Sequence, residues 1–110
     1  MAKIRPYVHD LAIQEDLVKL SAAWPMLRAA YDDFKDILHE GDEPGHRLPG
    51  GGSVIYKTYR LYDETRTVRI IIVYSIDRDL QARTTNIEMC QMWAVDDWDE
   101  EEALRRLGLS

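Results

Sequence analysis

Chemically useful side chains crowd into one stretch of this 110-residue chain. They are His46-Arg47-Leu48-Pro49, a run of three glycines, then Tyr56-Lys57-Thr58-Tyr59-Arg60, with Arg66 and Arg69 close behind. Such a set suits chemistry on a phosphodiester. Cleaving RNA through its own 2′-hydroxyl requires a base or a positive field at the attacking oxygen, cations on the pentavalent phosphate, and a donor for the leaving oxygen. Lysine and arginine supply the field, and tyrosine or arginine can hold a splayed base by stacking. Adjacent glycines let backbone approach a ligand closely. This chemistry calls for no metal and no small-molecule cofactor. The same side chains also serve as ordinary sheet aromatics and strand-surface cations, so the pattern alone leaves both uses open.

Other templates are missing. Gly50-Gly51-Gly52 precedes a strand-like segment and carries no Gly-Lys-Ser/Thr sequence, so it is not a phosphate loop. No His-Glu-x-x-His occurs, and the single cysteine, Cys90, has no partner for a disulfide or a zinc site and reads as core. His39, Glu40, Asp42, Glu43 and His46 follow no known metal spacing and read as solvated loop. The acidic run from Asp96 to Glu102 lacks the central glycine and ligand spacing of a calcium loop.

Net charge is −6, but it is unevenly spread. Residues 1–40 sum to −2, residues 41–95 to 0 and residues 96–110 to −4. Between Arg47 and Arg69 five cations meet only Asp63 and Glu64, a local excess of +3. A phosphate responds to charge within about 10 Å, so the local excess matters more than the total. The longest apolar run, Ile70 to Tyr74, is five residues against about 20 for a membrane span. With no apolar leader at the N-terminus and one cysteine, a cytoplasmic protein is expected.

The elements that must position these residues follow from periodicity. The length fits one domain over 1–110. A short edge strand is expected within 1–9, because Pro6 is tolerated at an edge. Asp10 is a candidate N-cap for a first helix bearing Leu11, Leu17, Val18 and Leu20, and Pro25 ends it. A second helix carries Leu27, Ala30, Tyr31, Phe34, Ile37 and Leu38 on one stripe, with Gly41 as its left-handed stop. Residues 41–52, with five glycines and two prolines, read as loop. Three strands are expected at Val54–Tyr62, Thr67–Ile76 and about Arg83–Trp93, joined by Asp63–Arg66 and Asp77–Asp79. Short links make these strands antiparallel neighbours. An acidic helix closes the chain over 96–110, started by Asp97 with Glu100 and braced by Glu101–Arg105 and Glu102–Arg106 pairs. The class is α+β, an N-terminal helical hairpin packed on a three- to four-stranded antiparallel twisted sheet.

Across residues 10–90 the chain resembles the RelE/ParE superfamily of toxins from type II toxin–antitoxin systems. The resemblance rests on paired helices ending Ile37-Leu38-His39-Glu40-Gly41, the loop Asp42 to Gly50, the strand Val54 to Arg60 and the strand Val68 to Tyr74. It implies ribosome-dependent cleavage of mRNA without a metal in the RelE branch, or gyrase poisoning in the ParE branch; a catalytically inactive protein-binding module of the same fold is the rival reading. It also implies a cognate antitoxin as partner, with the ribosome and mRNA as targets. In the nuclease branch the resemblance assigns catalysis to three residues: Lys57 at the attacking 2′-oxygen, Arg60 on phosphate and Arg69 on the transition state. His46, Arg47, Tyr56, Tyr59 and Arg66 would contact RNA. Two departures stand out. The last strand ends Gln91-Met92-Trp93 without the basic, histidine or tyrosine residue usual in nuclease members, and the chain is acidic where such toxins are basic. Lys57 and Arg60 also have opposite parity, so only a bulge or a strand-end site would unite them.

Overall fold

β-Branched and aromatic residues dominate three consecutive segments, and in the computed structural model each becomes a strand: β3 (Val54–Tyr62), β4 (Thr67–Asp79) and β5 (Thr84–Val95). Residues 5–109 are described, Arg5 by its backbone alone. The first four residues of the expected edge strand and Ser110 of the expected terminal helix lie outside the described residues. Two short strands complete the sheet, β1 (Arg5–His9) and β2 (His46–Arg47). The strand order is β1-β5-β4-β3-β2. The fold is α+β with three helices and a five-stranded mixed sheet.

Three sequence expectations are corrected here. The sheet is mixed, because β1 runs parallel to β5, with Arg5 opposite Thr84 and His9 opposite Glu88. A pairing between segments so far apart in sequence leaves no local signal. Residues 41–52 are not all loop, since His46 and Arg47 pair with Tyr56 and Ile55. Asp77-Arg78-Asp79 is not a connector, because it continues β4 against Asn86, Thr85 and Thr84. The turn falls instead at residues 80–83, where Arg83 takes a positive φ of 55°.

Alternation sorts the sheet's side chains onto two faces. Ile55 and Leu61 of β3, Ile70, Ile72, Tyr74 and Ile76 of β4, and Ile87, Met89 and Met92 of β5 share one apolar cluster with the helices. Those helices are α1 (Gln14–Ala23) and α2 (Leu27–His39), which contribute Leu17, Leu27, Tyr31, Phe34 and Leu38. Phe34 meets Tyr59 and Tyr74 edge to face, at 6.0 and 5.5 Å between ring centres. The opposite face carries Ile71, Val73 and Trp93, covered by Ala103, Leu104 and Leu107 of the C-terminal segment. That segment contains α3 (Glu100–Arg106). The helix is moored where Arg106 lies 5.0 Å over the Trp93 ring and its carbonyl accepts from Gln91 Nε2 at 2.7 Å. β4 is thus buried on both sides, as its unbroken apolar run requires.

Cap positions moved. Asp99, not Asp97, caps α3, its carboxylate accepting from the Glu102 amide at 3.2 Å. Of the two expected ion pairs on α3, Glu102–Arg106 forms, at 3.1 Å. Asp10 makes no cap, because a 3₁₀ turn over Leu11–Ile13 intervenes before α1. Its carboxylate instead accepts from Tyr31 Oη and Lys35 Nζ of α2, each at 2.9 Å. Leu11 and Val18, expected on the apolar stripe, are exposed. Gly41 does end α2 in the left-handed region, φ 97°. Gly45, at φ 112°, approaches the sheet so closely that a Cβ there would lie 2.3 Å from the Tyr56 carbonyl oxygen. Only glycine can bring the chain onto β2 at that point.

Candidate functional site

β3 keeps a continuous register with β4 from Val54 to Tyr62, so no bulge rotates its side chains. The one register shift lies between Val73 and Tyr74 of β4, opposite β5. Lys57 therefore shares the α1–α2 face with Ile55, Tyr59 and Leu61, and its Nζ sits 5.2 Å over the Tyr59 ring. Tyr59 is half-buried against Phe34. Burial, with the nearby Asp33 carboxylate, pushes its hydroxyl above the usual tyrosine range.

Arg60 and Arg69 belong to the other face. They are direct cross-strand partners, and Val95 pairs with Arg69 on its far side, giving one row across three strands. Among the described residues neither guanidinium has a carboxylate within ion-pair distance. Asp96 and Asp97, which follow Val95, line a cleft of about 340 Å³ together with Arg60, Thr67, Val68 and Arg69. Two like charges directly opposite on neighbouring strands repel, so the pair is a local cost to the sheet.

Further along the same face, about 13 Å from Arg60 at the strand's rise per residue, stands Tyr56. His46 of β2 is its cross-strand partner, with 5.8 Å between the rings. Trp98 lies flat on Tyr56, 4.0 Å between centres and 13° between planes. The remaining expected contacts lie elsewhere. Arg47, opposite Ile55, turns away and donates to the Gly52 carbonyl at 3.3 Å. Arg66 closes the β3–β4 turn on Asp63 and stacks 4.4 Å from the Trp24 ring.

The geometry thus joins His46, Tyr56, Arg60 and Arg69 into one strip and separates them from Lys57, Tyr59, Arg47 and Arg66. No family model, curated protein or solved structure matches this chain. The strip itself is what bears on function.

Two arginines side by side, with no carboxylate salt bridge among the described residues, can take a phosphate bidentately, and an aromatic pair further along the strand can take a base. Proton transfer is less well served. His46 lies at the Tyr56 end, outside hydrogen-bond reach of anything held between the arginines. Cys90 is half-buried next to the register shift, and desolvation raises its thiol above the ordinary cysteine value. Trp98 and Thr67 have no assigned role in the sequence reading, and Asp96 and Asp97 figure there only as the acidic start of the terminal helix, not as neighbours of the arginines. An aromatic residue flanked by aspartates, immediately after a strand that pairs with Arg69, was the available signal.

Proposed function

We propose that this chain is a RelE/ParE-like protein of a toxin–antitoxin system that binds single-stranded mRNA on the α3 side of its sheet. The finer architecture of that type belongs to the proposal: a helical hairpin on one face and an acidic terminal helix on the other. A cognate antitoxin is its neutralising partner, and the ribosome presents its substrate. The observation that carries the reading is the Arg60–Arg69 cross-strand pair, without salt-bridge partners among the described residues, on the same face as Tyr56 and His46. In it Arg60 holds the phosphate and Arg69 faces the charge that builds on it. Lys57, on the opposite face, has no part in that contact.

One observation favours a second reading, the catalytically inactive binding module of the same fold. The Lys57 ammonium packs over Tyr59 on the α1–α2 face, which leaves the strip without an activator of the 2′-oxygen.

Both readings meet one experiment. Binding of a labelled RNA of about ten nucleotides is measured against salt, alongside cleavage of ribosome-bound mRNA. Arg60→Ala and Arg69→Ala each weaken binding about tenfold and lower the salt slope by about one, whereas Lys57→Ala does neither. Cleavage abolished by Lys57→Ala would restore the three-residue nuclease arrangement. Equal binding by all three variants and the parent would remove the strip from consideration.

A further inference from the structure

The segment after β5 does at the strip what a short stretch of RNA would do. Trp98 lays a flat ring on Tyr56 at a stacking distance of 4.0 Å, where a splayed base would lie. Asp96 and Asp97 bring two carboxylates into the cleft of Arg60 and Arg69, where a phosphate would lie. Neither aspartate makes a hydrogen bond or ion pair among the described residues. Asp99, by contrast, is committed to capping α3. The acidic residues beside the arginines are therefore near enough to screen them and not locked to them.

We propose that residues 96–99 are an internal mimic of a nucleotide segment, and that single-stranded RNA gains the strip by displacing them. The inference rests on the RNA-binding reading given above and adds its regulation. Its chemistry is competition between like groups. An indole and a nucleobase compete for one tyrosine face, and carboxylate and phosphate compete for one pair of guanidiniums. Displacing residues 96–99 takes the half-buried Trp98 from the edge of the apolar cluster on this face but leaves Ala103, Leu104 and Leu107, beyond Asp99, to hold α3 on the sheet. Occlusion by an attached segment lowers apparent affinity by the fraction of time the site is closed.

The test uses the full chain and the same labelled RNA. Trp98→Ala is expected to bind about tenfold tighter than the parent, and Trp98→Phe, which keeps a stacked ring, stays close to the parent. The double substitution Asp96→Asn with Asp97→Asn tightens binding several-fold, and adding Arg69→Ala removes that gain. Circular dichroism checks that Trp98→Ala folds. Should it not, the aspartate pair, which is exposed and outside both apolar clusters, carries the test. In the parent, RNA titration moves the Trp98 indole N–H resonance towards its free-indole position. Equal affinity of parent, Trp98→Ala and the asparagine variant would overturn the mimic while leaving RNA binding intact. So would RNA binding that leaves the Trp98 resonance unmoved. Absence of binding by every variant would overturn both.

Discussion

The two faces of the sheet differ in what covers them and therefore in what they can do. On one side α1 and α2 cover residues from β3, β4 and β5 in a single apolar cluster, with Phe34 wedged between Tyr59 and Tyr74. On the other, α3 is seven residues long and covers a smaller set around Ile71, Val73 and Trp93. It leaves the row Arg60–Arg69–Val95 open at one end. A face buried under long helices holds apolar groups, tyrosines whose hydroxyls find an acceptor, as Tyr74 does at the Pro44 carbonyl, and cations that snorkel, as Lys57 does over Tyr59. A face half-covered by a short helix can hold charges that meet a ligand. One strand, β3, supplies both, and parity alone decides which of its residues goes where.

Truncating one core residue on each side separates the two faces most clearly. Phe34→Ala should cost about 3 to 5 kcal/mol, since it removes a fully buried ring and two edge-to-face contacts. Leu104→Ala, half-buried on the sheet-facing side of α3, should cost roughly 1 to 2 kcal/mol. Urea unfolding midpoints at unchanged slope measure both. Equal losses would mean that α3 is as integral to the core as α2, and that the strip is a covered surface and not an accessible one.

A smaller effect sharpens the α1–α2 side. Partial burial pushes the Asp10 carboxyl up, but hydrogen bonds from Lys35 and Tyr31 and the Lys35 charge outweigh it and hold the carboxyl below the usual aspartate range. A carboxyl depressed in the folded state stabilises the fold above its unfolded value of 3.8, and that contribution disappears as pH falls through the lower folded value. Asp10→Asn should therefore cost about 1 kcal/mol at neutral pH. The difference from the parent should close in acid, below the ordinary aspartate range. A difference independent of pH would show that packing and not charge holds this corner.

How much of this could be read from sequence depends on how local each cause is. The β3 boundaries were legible because Ser53 and Asp63 bracket a segment rich in Val, Ile, Thr and Tyr, and the stripe on α2 because its buried residues repeat at helical spacing. The split between Lys57 and Arg60 was legible as a parity conflict, and β3 resolves it without a bulge. What escaped was non-local. The parallel pairing of β1 with β5, the Asp10–Lys35 contact across 25 residues, and the Tyr56–Trp98 stack each join segments whose composition says nothing of the other. The continuation of β4 through Asp77-Arg78-Asp79 escaped for another reason. Charged residues at the exposed end of a hairpin look like a turn unless their partners, Asn86 to Thr84, are known.

The smallest expected effect bears most directly on the open face. Arg60 and Arg69 stand directly opposite each other, a placement that destabilises a sheet when nothing compensates it. Arg60→Thr replaces one charge with a good strand former, so it should raise stability by a few tenths of a kcal/mol at low salt. Because Arg60 is solvent-exposed, the gain should fade as salt screens the repulsion in the parent. Thermal melts at two ionic strengths measure it, and the same variant loses RNA affinity. A residue whose removal steadies the fold while weakening binding is held there by its ligand. A loss of stability instead would mean that Asp96 and Asp97 already neutralise the pair, and the α3 face would then be as fully committed to folding as the face under α1 and α2.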